Sequence, residues 1–166
     1  VKAGMPAERE ASVETLLARM AEHDIDRAVL VQTGGTALAH PAYLQHCLRT
    51  YPARCGGIGV LPDVPDPADH MDRLAADGQI IGFLLRTLGG PADPLQPFDL
   101  RQTATYPIWT HAARKDYVLW LYLQAVDAHV LPFFLAAFPS VRVVVNHLRV
   151  CPGAGKFSWD DRGRPQ

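Results

Sequence analysis

Residues 12–32, S-V-E-T-L-L-A-R-M-A-E-H-D-I-D-R-A-V-L-V-Q, set the syntax of the fold. Ser12 is an N-cap, Glu14 favours the first turn, and Val13, Leu16, Leu17 and Met20 fall at i, i+3, i+4 and i+7, so one helical face is apolar. The chain then passes through a short polar turn into Ala28–Gln32 (AVLVQ), which is apolar on both faces until its last residue. A strand of that kind is buried on both sides, as parallel strands are.

The same unit recurs outward from this stretch. Pro41 suits the first turn of a helix carrying Tyr43, Leu44, Cys47 and Leu48, and a strand is predicted at 57–61 (GIGVL). Asp66 and Pro67 cap and open a helix with Met71, Leu74 and Ala75 inward, before a strand over 80–86 (IIGFLLR). After a proline-rich loop at 91–97, Pro107 starts a helix through Ile108, Trp109 and Ala112, leading to a strand over 117–124 (YVLWLYLQ). A helix around 131–138 and a strand over 141–146 (VRVVVN) close the pattern. Five strands alternating with helices make an α/β protein, either a doubly wound sheet or a (β/α)8 barrel. The turn after AVLVQ reads T-G-G-T-A-L, without the G-x-G-x-x-G spacing of a dinucleotide fold, so Gly34 and Gly35 read as a flexible turn.

Composition narrows the function. Sixteen basic and seventeen acidic residues give a formal net charge of -1, which provides no basic field for nucleic acid or an anionic membrane. The longest apolar run, Tyr117 to Ala125, is well short of the roughly 20 residues that span a bilayer, and the chain reads as cytoplasmic. Cys47, Cys55 and Cys151 form no C-x-x-C pair and read as reduced thiols.

Several passages resemble the amidohydrolase-related (amidohydrolase 2) family. They are Ala11–Gln32; the Y-L and C-L-R-T-Y-P-A-R-C-G-G-I-G-V of 43–60, with Cys55 where phenylalanine is usual; I-I-G-F-L-L-R, ending at Arg86; and F-P-S-V-R-V-V-V-N-H-L, 138–148. The last is similar to the family's sixth strand and its aspartate-histidine-leucine-glycine ending, with Asn146 and Arg149 departing from that pattern. The resemblance implies one partial TIM barrel over residues 1–166, covering roughly strands two to six. A histidine-x-histidine strand would precede Val1, and a strand with a catalytic aspartate would follow Gln166. Such a domain needs about 250 residues, so the chain as given is expected to be poorly soluble or to borrow strands from a partner, a homo-oligomer among the possibilities.

Barrel chemistry sits at the C-terminal ends of strands, which nominates Gln32, Arg86, Gln124 and His147. The resemblance places His147 on the family's site histidine, as the catalytic group and, in a metal-dependent enzyme, a metal ligand. Arg86 offers a planar fork for a substrate carboxylate. Metal-dependent members commonly have a histidine at the end of the fifth strand, but 121–126 reads L-Y-L-Q-A-V, which weakens zinc and favours a metal-free, lactonase-type site. There Tyr122 and Gln124, on one face by the period-two rule, are placed to orient a carbonyl. Gln32 is a further substrate-binding candidate. The remaining histidines, His111 among them, lie in or beside helices and read as solvated or capping. The resemblance thus implies a hydrolase of a small carboxylated or sugar-derived lactone or ester. A zinc-dependent amidohydrolase or decarboxylase and a non-catalytic barrel piece are the alternatives.

Overall fold

The computed structural model describes residues 12–32, 41–61, 66–123 and 127–146. Five helices alternate with five strands: α1 (Val13–Glu22), β1 (Ala28–Val31), α2 (Ala42–Thr50), β2 (Cys55–Val60), α3 (Pro67–Ala75), β3 (Ile80–Leu85), α4 (Tyr106–Lys115), β4 (Val118–Leu121), α5 (Leu131–Ala137) and β5 (Val143–Val145). A short 3-10 turn, Leu100–Gln102, precedes α4. The expected caps form: the Ser12 hydroxyl accepts from Thr15 N, and the Asp66 carboxylate accepts from Asp69 N. Both satisfy amide groups that the first helical turn leaves without partners. No helix among the described residues is long and apolar enough to cross a membrane.

All four pairings are parallel, and the spatial order β1-β2-β3-β4-β5 follows the chain. A doubly wound sheet reverses its strand order at a switch point and covers both faces with helices. Here every helix contributes to one core on one side. Val13, Leu48, Met71, Trp109 and Phe134 pack there against Cys55, Phe83, Leu85, Leu119 and Leu121. Among the described residues, the other face carries a separate cluster of strand residues alone: Ile58, Val60 and Leu84, with Val31 and Trp120 against them. An outer helical layer and an inner face formed, among the described residues, by strands are the two surfaces of a curled half-barrel.

Two strands are shorter than their apolar runs. β4 ends at Leu121, and β5 covers only Val143–Val145. Tyr117, expected to begin β4, instead packs its ring edge-on to Phe83 at 5.1 Å and donates its hydroxyl to Asp72. β2 begins two residues earlier than expected, because Cys55 and Gly56 already pair with Ala28 and Val29.

The β2–β3 register contains one irregularity that matters for the site. Gly57 pairs with Ile80, but Ile58 pairs with Gly82, so β3 carries one extra residue. Such a bulge reverses the phase of side-chain alternation beyond it. Ile80 belongs to the outer core, yet Leu84, four residues on, belongs to the inner cluster. Gly82 makes this possible, since a Cβ there would lie 2.2 Å from the Val118 carbonyl oxygen.

Candidate functional site

The C-terminal ends of the parallel strands form one rim, with Gln32 after β1, Leu61 after β2, Arg86 after β3, Tyr122 after β4 and Asn146 after β5. Gln32 N donates to Ile58 O at 3.0 Å, and its side-chain oxygen accepts from Val60 N at 3.2 Å. The residue is buried, so its amide extends the β1–β2 ladder beyond the last strand residue. Tyr122 N donates to Leu85 O at 2.8 Å, which carries the β3–β4 ladder one step past Leu85↔Leu121. Arg86 and Tyr122 are therefore neighbours across the two strand ends. Both are exposed. Alternation from Leu84 and Trp120, which belong to the inner cluster, gives both the inner side. Gln124 and His147 lie outside the described residues, as do Cys151, Gly34 and Gly35.

Below this pair, the inner wall is apolar. Trp120 lies opposite Leu84 in the register, and its Nε1 is buried without a hydrogen-bond partner among the described residues. Val29, Ile81 and Val144 are exposed. Alternation places Val29 with Val31 on the inner face, and the Ile81 side chain lies 3.2 Å from where a Cβ of Gly56 would stand. An arginine and a phenol above an apolar floor suit a flat ligand with a carboxylate on its edge.

Sequence reasoning did not single out Asp127, in the connection between β4 and α5. It is 4% exposed, and its Oδ1 accepts from Thr87 Oγ1 and from Leu88 N, both at 3.1 Å. Thr105 Oγ1 donates to Leu88 O at 2.6 Å from the other side. The two residues directly after Arg86 are thus tied to the β4–α5 loop and to the start of α4. Gly90 lets the loops close together, since a Cβ would meet Val130 Cγ2 at 2.5 Å. No motif marks this contact, because its partners are about 40 residues apart.

A second polar cluster lies away from the rim, between α3 and α4. His111 Nε2 is 2.8 Å from Asp72 Oδ1, and Arg114 Nη2 is 2.9 Å from His111 Nδ1. Arginine can only donate, so Nδ1 accepts and the proton sits on Nε2, facing Asp72. Lys115 Nζ adds an ion pair to Asp72 Oδ2 at 3.2 Å. The hydrogen bond from His111, followed by those from Lys115 and Tyr117, lowers the Asp72 carboxyl to about 2. His111 is 4% exposed, so the expectation of a solvated or capping histidine fails there. The carboxylate of α3 draws it into the helix interface.

Zinc requires three or four nitrogen, sulfur or oxygen ligands in a tight shell. Among the described residues no three His, Cys, Asp or Glu side chains gather closely enough to hold an ion. The described side chains do not by themselves make a metal centre. Cys47 and Cys55 are buried thiols on the outer side, and burial raises Cys55 above its usual value.

Comparison with known proteins agrees with this geometry. The sequence profile of the Amidohydrolase family matches residues 3–160. No match was found among curated protein sequences. Among solved structures, a probable 2-pyrone-4,6-dicarboxylic acid hydrolase from Acinetobacter baumannii, with citric acid bound, is similar. It is 22% identical over 72% of this chain and 42% of that one, with a TM-score of 0.50. A 2,6-dihydroxybenzoate decarboxylase complexed with 2,6-dihydroxybenzoate is 14% identical over 89% of this chain and 61% of that one, with a TM-score of 0.60. An amidohydrolase II is 11% identical over 87% and 57%, with a TM-score of 0.58. The chain therefore spans about half the length of these enzymes and shares their fold, an incomplete (β/α)8 barrel. With the family profile running over nearly all of its residues, the chain belongs to the amidohydrolase family.

Proposed function

We propose that this protein hydrolyses a lactone or ester-like bond in a small carboxylated ring. The observation that carries the reading is the adjacency of Arg86 and Tyr122 at the ends of β3 and β4, joined through the Tyr122 N to Leu85 O bond. The guanidinium presents two parallel donors to a ring carboxylate, and the phenol supplies a third. The family resemblance gives His147 the role of polarising the ring carbonyl while water adds to the carbonyl carbon, with Gln124 as a second group for that carbonyl. The carbon to ring-oxygen bond then breaks, the ring oxygen takes a proton, and the carbonyl carbon becomes a new carboxyl group of the single ring-opened product. The water is activated by an aspartate, the group that the family resemblance implies for this step. Gln32 acts from the end of β1, where it shapes the rim beside the substrate. The name of the similar Acinetobacter enzyme, a hydrolase of a carboxylated pyrone, supports this substrate class.

The test is to incubate the full-length protein with 2-pyrone-4,6-dicarboxylate and follow ring opening by ultraviolet absorbance. Turnover that falls at least about tenfold in Arg86→Met fits the loss of charge-assisted hydrogen bonds. Decarboxylation is a second reading, supported by the similarity to 2,6-dihydroxybenzoate decarboxylase, since the same fork would hold a carboxylate there. Release of carbon dioxide from 2,6-dihydroxybenzoate, without ring opening of the pyrone, would replace hydrolysis with that reaction. Turnover of neither compound favours a non-catalytic role.

A further inference from the structure

Asp127 makes no hydrogen bond to Arg86 among the described residues, yet it holds the chain at the point where Arg86 leaves β3. Its Oδ1 takes both the Thr87 hydroxyl and the Leu88 amide at 3.1 Å, while the Thr87 hydroxyl also accepts from Gly89 N at 3.0 Å. Leu88 is fully buried, and its carbonyl is held by Thr105. The backbone after Arg86 is thus bonded on one side to a loop that follows β4 and on the other to the residue before α4. Arg86 and Tyr122 stand on the two strands that these loops extend. Only Oδ1 of this 4% exposed carboxylate is bonded, and Oδ2 is buried without a hydrogen-bond partner among the described residues, so the group is costly to bury and is retained where a fixed geometry is needed.

We propose that Asp127 is a positioning residue for Arg86. By fixing the Thr87–Leu88 backbone against the β4–α5 loop, it sets the direction of the guanidinium relative to Tyr122 and so the affinity for a substrate carboxylate. The inference rests on the reading of Arg86 as the carboxylate-binding group. Bonds at Thr87 and Leu88 leave the Arg86 rotamers free but fix the backbone from which the guanidinium reaches a carboxylate. Asp127 therefore acts on binding through Arg86 and adds no contact to the ligand.

A double-mutant cycle tests this, using calorimetric binding to the full-length protein of citrate, a carboxylate bound in the similar Acinetobacter enzyme that has no ester bond to hydrolyse. Asp127→Ala is expected to weaken binding about tenfold in the wild-type background and less than about twofold with Arg86→Met present. Asp127→Asn keeps an acceptor for both donors and is expected to restore most of the affinity; Thr87→Val, which removes one donor, should give an intermediate loss. If Arg86→Met binds as tightly as wild type, or wild type does not bind, the carboxylate reading fails and the inference falls with it. If Arg86→Met loses binding but Asp127→Ala does not, or Asp127→Ala costs the same in both backgrounds, the positioning role alone is overturned. Asp127→Asn as weak as Asp127→Ala overturns it too. Where Asp127→Ala does not fold, the Asn and Val variants run through the same cycle decide.

Discussion

Tyr122 is bonded to Leu85 by one backbone hydrogen bond of 2.8 Å, and that bond brings the side chains at 86 and 122 to adjacent places on the rim. Replacing Arg86 by Lys keeps the charge but exchanges a rigid fork for a point donor. Binding of citrate should weaken about tenfold in Arg86→Lys and further in Arg86→Met, with thermal stability little changed because the side chain is exposed. Equal affinities for the lysine variant and wild type in calorimetric titration would show that the fork geometry is not used.

Gly82 should tolerate no side chain. The missing Cβ position lies 2.2 Å from the Val118 carbonyl oxygen, a backbone atom that cannot move without opening the β3–β4 ladder. Gly82→Ala is expected to destabilise the fold by about 3 kcal/mol, the upper end of the range for overpacked sites. Urea denaturation measures it, and a loss below half that value would mean that the two strands separate easily.

The Asp72 carboxylate gives the α3–α4 contact a pH dependence. Its folded value is lowered from 3.8 to about 2, so the stabilisation is fully present above the unfolded value and disappears as pH falls through the folded one. The melting temperature of the wild type should exceed that of Asp72→Asn near pH 5, and the gap should close between about pH 4 and pH 2. A gap that stays constant over this window would show that the bonds to His111, Lys115 and Tyr117 do not depend on the charge.

Trp109 is fully buried in the outer core, stacked on Phe134 with ring centroids 4.8 Å apart and tilted against Phe138 at 5.9 Å. It links α4 to α5. Trp109→Ala should cost about 3–5 kcal/mol, the usual range for a large aromatic side chain lost from a core. Chemical denaturation checks it, and a cost near 1 kcal/mol would mean that α5 collapses into the space.

Much of this protein is decided by local chemistry that can be read along the chain. Ser12 and Asp66 cap their helices because a side-chain oxygen three residues before an amide needs no distant partner. The apolar runs at 28–32 and 80–86 become parallel strands because they have no polar face to give to water. Other features depend on contacts that no local pattern records. His111 is drawn inside by Asp72, 39 residues away, and Asp127 reaches back 40 residues to Thr87. The placement of Arg86 shows the division most directly. Strict alternation from Ile80, an outer-core residue, would turn Arg86 toward the helices. The extra residue where β3 meets β2, permitted by Gly82 against β4, reverses that phase and gives Arg86 the inner side with Leu84. The sequence by itself determined that a strand ends in arginine; the neighbouring strands decided which way that arginine faces, because register is a property of pairs.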